Sequence, residues 1–216
     1  QNLEKRVVVE KGEWIRIDIH RRDNLTPQRF KAIIGSIKEL VERGYNINFV
    51  EMNATRFGIE KYALRHILDN LKGRKNFLHT DVWAEYSHVI EFYESENCFA
   101  ALTDSGGLQE EANLLKKICL TCRFNTDRPE TVNQAKNNLL VPPINKEFIV
   151  NIVEYINSND DLQRNMRACK NIYGENVGEK FANIISELIA RNERPFKWAH
   201  EALGLWKEED NNGGML

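Results

Sequence analysis

Long apolar runs are missing from this chain. No stretch approaches the ~20 residues that span a bilayer, and the N-terminus lacks the apolar core of a secretion signal, so a soluble, cytoplasmic protein without membrane contact is expected. Charge of one sign is equally absent. The 30 basic and 32 acidic side chains nearly cancel, with no single-sign block outside the last dozen residues; nothing in that balance favours nucleic acid as a partner. Cysteine is scarce: Cys98, Cys119, Cys122 and Cys169 form no spaced disulfide framework. The Cys-x-x-Cys at 119–122 has neither the helix start that redox chemistry needs nor the second ligand pair that zinc needs, and reads as a buried strand using cysteine as a small apolar residue. His66, His79, His88 and His200 show no ligand spacing with one another or with cysteine, so no metal site is expected.

What the chain does have is 42% hydrophobic residues in 216, enough to fill the core of one domain. Glu13 to Ile19 reads as a strand. Pro27 to Glu42 carries Phe30, Ile33, Ile34, Ile37, Leu40 and Val41 at helical spacing, with Thr26 placed to cap it, Pro27 at its first position and Gly44 past its end. The alternation continues with strands at Asn46–Val50, Asn76–His79, Cys98–Leu102, Ile118–Cys122 and Asn138–Val141, and helices at Ile59–Leu71, Ala84–Ser95 and Leu108–Leu115. From Asn145 onward only helices are expected: Lys146–Ile156, Asp160–Cys169, Gly178–Arg191 and a last short one marked by Phe196, Ala199, Leu203 and Trp206. Strands alternating with helices at this spacing give an α/β fold, a Rossmann-like parallel sheet with helices on both faces.

In such a sheet ligands bind beyond the carboxyl ends of the strands. Three polar clusters fall there: His20-Arg21-Arg22-Asp23-Asn24, Asp104-Ser105-Gly106-Gly107 and Arg123 to Glu130. The second is a strand that stops in small polar residues and opens into a helix, which presents backbone N–H groups and the positive helix end to an anion. One turn on, Glu110 and Glu111 supply a carboxylate able to accept two hydroxyl hydrogen bonds, as a ribose offers. Taken singly, His20 reads as a structural histidine and Arg21 and Arg22 as a solvated pair. Together on one edge, the arginine loops and the glycine-bearing helix start suit a diphosphate.

These motifs resemble those of the non-hydrolysing UDP-N-acetylglucosamine 2-epimerase family, and specifically its carboxyl-terminal half. The family's His-Arg-Arg-Glu-Asn appears as His20 to Asn24, its Thr-Asp-Ser-Gly-Gly-x-Gln-Glu-Glu-Ala as Thr103 to Ala112, and its Thr-Glu-Arg-Pro-Glu as Thr126 to Glu130. A looser Asn-Pro-Tyr-Gly survives as Asn171 to Gly174. The resemblance implies the second, UDP-holding domain of a glycosyltransferase-B-like enzyme. Residues 1–12 would be an extension or linker, 13–193 the UDP-binding domain, 194–207 a C-terminal helix and 208–216 a disordered tail. Carried over position by position, Ser105, Gly106 and Gly107 bind the diphosphate with Arg21, Arg22 and Arg128, Glu111 holds the ribose, and His20 sits beside the leaving UDP as the catalytic group of this half. Tyr86 or Trp83 would lie beside the uracil.

The implied reaction converts UDP-GlcNAc to UDP-ManNAc by elimination of UDP to a glycal-type intermediate and re-addition with inversion at C2, with no metal or redox cofactor. It needs a base and an acid on opposite faces of the sugar, which in this family come from the amino-terminal domain. The chain starts at Gln1 and is therefore expected to be part of a longer protein, its partners a UDP-sugar, the missing amino-terminal domain and a possible second copy in a homodimer. Glu51-Met52-Asn53-Ala54-Thr55 replaces the family's Pro-Val-His-x-Asn-Pro, a departure from the regulatory nucleotide-sugar site of some bacterial members. Two other readings share the motifs: a glycosyltransferase of the same fold, and a non-catalytic nucleotide-sugar-binding module.

Overall fold

The computed structural model describes residues 9–191; the expected helix at 194–207 and the tail beyond it lie outside that span. Two compact units divide at Ile172/Tyr173. The first holds a six-stranded sheet, all neighbouring pairs parallel, made of β1 (Trp14–Asp18), β2 (Asn46–Glu51), β3 (Phe77–Asp81), β4 (Cys98–Thr103), β5 (Ile118–Thr121) and β6 (Asn138–Leu140), in the order 3-2-1-4-5-6. The winding reverses between β1 and β4. Loops leaving those two strands diverge and open a crevice at their carboxyl ends.

The two faces of the sheet differ in chemistry because side chains alternate along each strand. Ile15, Ile17 and Ile19 face one side with Ile47, Phe49, Leu102 and Leu120, and there meet helices α1 (Pro27–Glu42), α6 (Lys146–Asn157) and α3 (Arg65–Asp69). The helix α1 is written plainly in the sequence: its six large apolar side chains are all buried, at about 2 kcal/mol each. Thr26 does precede it, with Pro27 in the first turn, but the Thr26 side chain makes no cap hydrogen bond.

On the opposite face, Trp14, Cys98 and Ala101 pack with Val89, Phe92 and Tyr93 of α4 (Tyr86–Glu94), flanked by Leu108 at the start of α5 (Gly106–Leu114). This face also carries Arg16, Asp18, Asn48, Thr103, Thr121 and Asn138, all buried. Hydrogen bonds link them: Arg16 Nη1 to Asn48 Oδ1 (3.0 Å), Thr103 to Asp18, and Thr121 Oγ1 to Asn138 Oδ1 (2.7 Å). Asn138 Nδ2 then reaches Gln109 Oε1 at 3.0 Å and Thr131 Oγ1 at 2.8 Å. All four cysteines are free and buried; burial pushes the Cys98 and Cys119 thiols up to about 12.

One expected helix is corrected. Instead of a single helix at Ile59–Leu71, the chain forms α2 (Asn53–Lys61), starting straight after β2, and the short α3, separated by Ala63 at φ 52°. Gly58 lets α2 close against α1: a Cβ there would stand 2.8 Å from Phe30 Cε1 and 3.2 Å from Leu25 Cδ2. Helix α7 (Asp160–Arg167) completes the first unit. The second unit, described by itself, contains α8 (Val177–Ala190), whose apolar residues Val177, Phe181, Ile184 and Ile189 are exposed.

Candidate functional site

Asp104, the first residue after β4, is wholly buried, and its carboxylate organises the crevice. Oδ1 accepts from the His20 backbone N–H (3.0 Å), while Oδ2 accepts from the Arg21 N–H (2.9 Å) and from Asn24 Nδ2 (2.9 Å). Asn24 donates onward to the Cys122 carbonyl at 2.8 Å. One buried carboxylate and one buried amide thus tie together the loops that leave β1, β4 and β5. In the sequence Asp104 has only a place in the glycine loop; its partners are some 80 residues away, so no local spacing announces the contact.

His20 is half-buried, its Nδ1 3.4 Å from Asp104 Oδ1 without the alignment of a hydrogen bond. With Nδ1 turned to Asp104, the opposite edge of the ring, which bears Nε2, is directed away from it. Beneath the loop, Thr103 accepts the Ser105 N–H (3.0 Å) while donating to Asp18. Burial raises the Asp18 carboxyl to about 6 against the lowering pull of Arg16 and Thr103.

The helix α5 begins at Gly106, with Ser105 as its N-cap; the Ser105 hydroxyl accepts from Leu108 N at 3.4 Å. The N–H groups of Gly106 and Gly107 have no acceptor within the helix, as helix geometry requires of a first turn, and they carry its positive end. Gly107 is exposed, and a Cβ there would meet only Ser105 Oγ at 3.9 Å and Glu111 Oε1 at 4.0 Å. One turn along, Glu111 has an oxygen, Oε2, that is buried without a hydrogen-bond partner. The Tyr86 phenol, at the start of α4, lies against this carboxylate; burial, its hydrogen bond to Glu111 and the Glu111 charge all push its pKa up. Trp83 sits elsewhere, buried under the Arg16 guanidinium at 4.4 Å and donating to Thr80. It is therefore core rather than crevice.

The arginines divide. Arg21 Nη2 donates to Asp127 Oδ2 (3.0 Å), and Arg128 Nε pairs with Glu110. Arg22 opens a short 3-10 turn and is exposed, apart from these ion pairs. Arg123, which opens the third polar cluster ahead of the family motif at Thr126, joins the cluster through Asp127 Oδ1 at 2.8 Å. Among the described residues no group of three or more histidine, cysteine, aspartate or glutamate side chains is placed to hold a metal ion, and no helix is long and apolar enough to cross a membrane.

A doubly wound parallel sheet with a glycine-opened helix and two arginine loops at its switch point defines a Rossmann-like domain with an anion-receptive carboxyl edge. Comparison with known proteins makes this class specific. Residues 1–186 match the family model described as UDP-N-acetylglucosamine 2-epimerase, and the chain belongs to that family. It is 33% identical over 183 residues to the UDP-N-acetylglucosamine 2-epimerase of Methanocaldococcus jannaschii, covering 83% of this chain and 46% of that protein. The Salmonella typhimurium enzyme is 34% identical over 192 residues, covering 87% and 45%. The chain therefore spans about half the length of the curated relatives it matches. Among solved structures, the M. jannaschii UDP-GlcNAc 2-epimerase in complex with UDP-GlcNAc and UDP superposes with a TM-score of 0.69 at 31% identity, over 83% of this chain and 46% of that one. The C-terminal domain of a group 1 glycosyl transferase from Francisella tularensis shares the fold, with a TM-score of 0.55 at 15% identity, over 73% and 81%.

Proposed function

We propose that this domain binds the UDP moiety of UDP-N-acetylglucosamine and acts as the nucleotide-holding part of a UDP-GlcNAc 2-epimerase. The observation that carries the reading is Glu111: a carboxylate one turn into a glycine-opened helix, with one oxygen buried and unpartnered and a tyrosine at its side. A carboxylate in that position accepts the two ribose hydroxyls, the Gly106 and Gly107 N–H groups take the diphosphate, and Tyr86 flanks the base. The relative solved with UDP-GlcNAc and UDP supports the same ligand class.

The helix dipole and Arg21, Arg123 and Arg128 stabilise charge that develops on UDP as the C1–O bond breaks, which is where electrostatic preorganisation lowers a barrier. His20, steadied by Asp104, presents its Nε2 edge toward the departing phosphate. Proton removal from and return to C2 require two positioned groups on opposite faces. Of the carboxylates nearest the cradle, Asp104 is engaged by three donors, Glu110 by Arg128 and Asp127 by two arginines, and Glu111 is taken up by the ribose. The acid and base are accordingly assigned to a further domain of the complete enzyme, and residues 1–216 alone bind UDP without epimerising the sugar.

Calorimetric titration of UDP into this chain tests the reading. Saturable binding is expected, weakened about 10- to 100-fold in Glu111→Ala, the size of a lost hydrogen bond to a charged group. Absence of UDP binding, or binding untouched by Glu111→Ala, refutes it. The glycosyltransferase reading has the fold of the F. tularensis domain in its favour; with the complete enzyme it requires free UDP and a glycosylated acceptor, where the epimerase reading requires a C2 epimer still carrying UDP.

A further inference from the structure

At the start of α5 the cradle already contains a negative charge supplied by the protein. The Asp127 carboxylate accepts from Arg21 Nη2 at 3.0 Å and from Arg123 Nη1 at 2.8 Å, and Arg128 Nη1 stands 3.8 Å away. It also lies against the first turn of the helix: a Cβ on Gly106 would meet Asp127 Oδ1 at 3.4 Å and Oδ2 at 3.5 Å, beside Arg21 Nη2 at 3.4 Å. Arginines from two different strand ends and a helix N-terminus thus converge on one carboxylate. That is the environment a phosphate group seeks.

We infer that Asp127 is a built-in competing anion, which holds Arg21 and Arg123 in the ligand-free site and gives them up when a diphosphate arrives. The inference rests on the UDP reading above and adds a mechanism for setting affinity. Several features make an exchange feasible. Asp127 is 41% exposed, so its carboxylate can turn to water when displaced. Both arginine heads are on flexible stems, Arg21 35% exposed and Arg123 13%. Surface ion pairs of this kind are individually weak, so a ligand with several negative charges can outcompete them. Burial raises the Asp127 carboxyl, but its own backbone N–H, Arg123 and Arg21 hold it below the usual aspartate value; the group is charged at neutral pH. Arg128 is not part of the exchange in the same way, because Glu110 and the Asp127 carbonyl already fix its guanidinium.

An internal counterion has two benefits for a leaving-group site. It keeps Arg21 and Arg123 pointed at the cradle before substrate arrives, and it weakens product retention, since a carboxylate is ready to reclaim the arginines as UDP departs.

The test is a titration of UDP and, separately, of inorganic pyrophosphate against the unmodified chain and Asp127→Asn, at two salt concentrations. Asp127→Ser is run in parallel in case the amide disturbs the loop, and urea unfolding confirms that each variant is folded. Both ligands are expected to bind about tenfold more tightly once the competing charge is gone, the sum of two partly exposed ion pairs and the repulsion between carboxylate and phosphate, with a steeper loss of affinity as salt rises. If UDP binds the unmodified chain but equally or less tightly to both folded variants, Asp127 organises the loop instead and the exchange is refuted. If pyrophosphate binding tightens in the variants while UDP binds none of the proteins, the uridine reading fails and the exchange stands. No tightening of either ligand overturns the exchange whatever becomes of the uridine reading.

Discussion

Replacing Asp104 by asparagine removes one charge from the centre of the crevice without changing its shape, and the hydrogen bonds around it allow the cost to be worked out. The carboxylate accepts three bonds, two from backbone N–H groups and one from Asn24, and bonds to a charged group contribute about 1.5–3 kcal/mol each. The amide has one acceptor oxygen. In its better orientation that oxygen keeps the Arg21 and Asn24 donors and turns its NH2 against the His20 N–H; the other orientation loses two bonds. The better case forfeits one charge-assisted bond, weakens the two that remain and sets donor against donor, offset by the relief of removing a buried charge. A net loss of about 3 kcal/mol follows, a large share of the ~5–15 kcal/mol that holds an ordinary domain together. With a urea slope of about 2 kcal/mol per molar, the unfolding midpoint should fall by about 1.5 M. Hydrogen exchange at the His20 and Arg21 amides should accelerate beyond what the global loss explains, and UDP binding should weaken with it. A midpoint within about 0.3 M of the unmodified chain, with both amides still protected, would refute the role given to Asp104.

Other outcomes follow from the same structure. Gly58→Ala should destabilise the domain by about 1–2 kcal/mol, because the 2.8 Å approach to Phe30 outweighs the gain in helix propensity; urea unfolding measures it. The Asp18 carboxyl titrates at about 6 in the folded chain against its ordinary 3.8, so its protonation stabilises the fold below pH ~4 and that contribution is lost as pH rises through ~6. Asp18→Asn should remove this slope and raise stability at pH 7 by about 1–3 kcal/mol, seen in unfolding curves collected from pH 4 to 8. Gly107→Ala should leave the free chain as stable or up to about 1 kcal/mol more stable, since its methyl meets nothing closer than 3.9 Å. The same methyl should weaken UDP binding by about tenfold or more by blocking the approach of the diphosphate, as calorimetry would show.

Much of the architecture is legible in the sequence because it depends on period. The helix α1 runs over the expected Pro27–Glu42, since proline opens it and six apolar residues recur at helical spacing; all six strands fall within a residue or two of their expected places. The α2/α3 pair is not legible in this way because the buried face of α2 is Thr55, Gly58 and Ile59, with a single large apolar side chain among them. What buries that helix is the lack of a side chain at Gly58, and periodicity does not register an absence. The site divides in the same way. Ser105, Gly106, Gly107 and Glu111 fall within one seven-residue stretch and stand in one motif. Arg123, Asp127 and the Asp104–Asn24 staple acquire their meaning from contacts between strand ends, so their significance depends on knowing that β4 lies between β1 and β5.

The Asp104 staple also makes the crevice a late product of folding. Its hydrogen bonds close loops of 80 to 84 residues, whose entropy is recovered only after β4 has docked beside β1. A partly folded chain with β1 to β3 paired has no cradle, however native those strands are. A ligand of the crevice therefore binds the complete sheet alone and stabilises it by mass action, so that binding capacity at saturating ligand becomes a measure of how many molecules have finished folding.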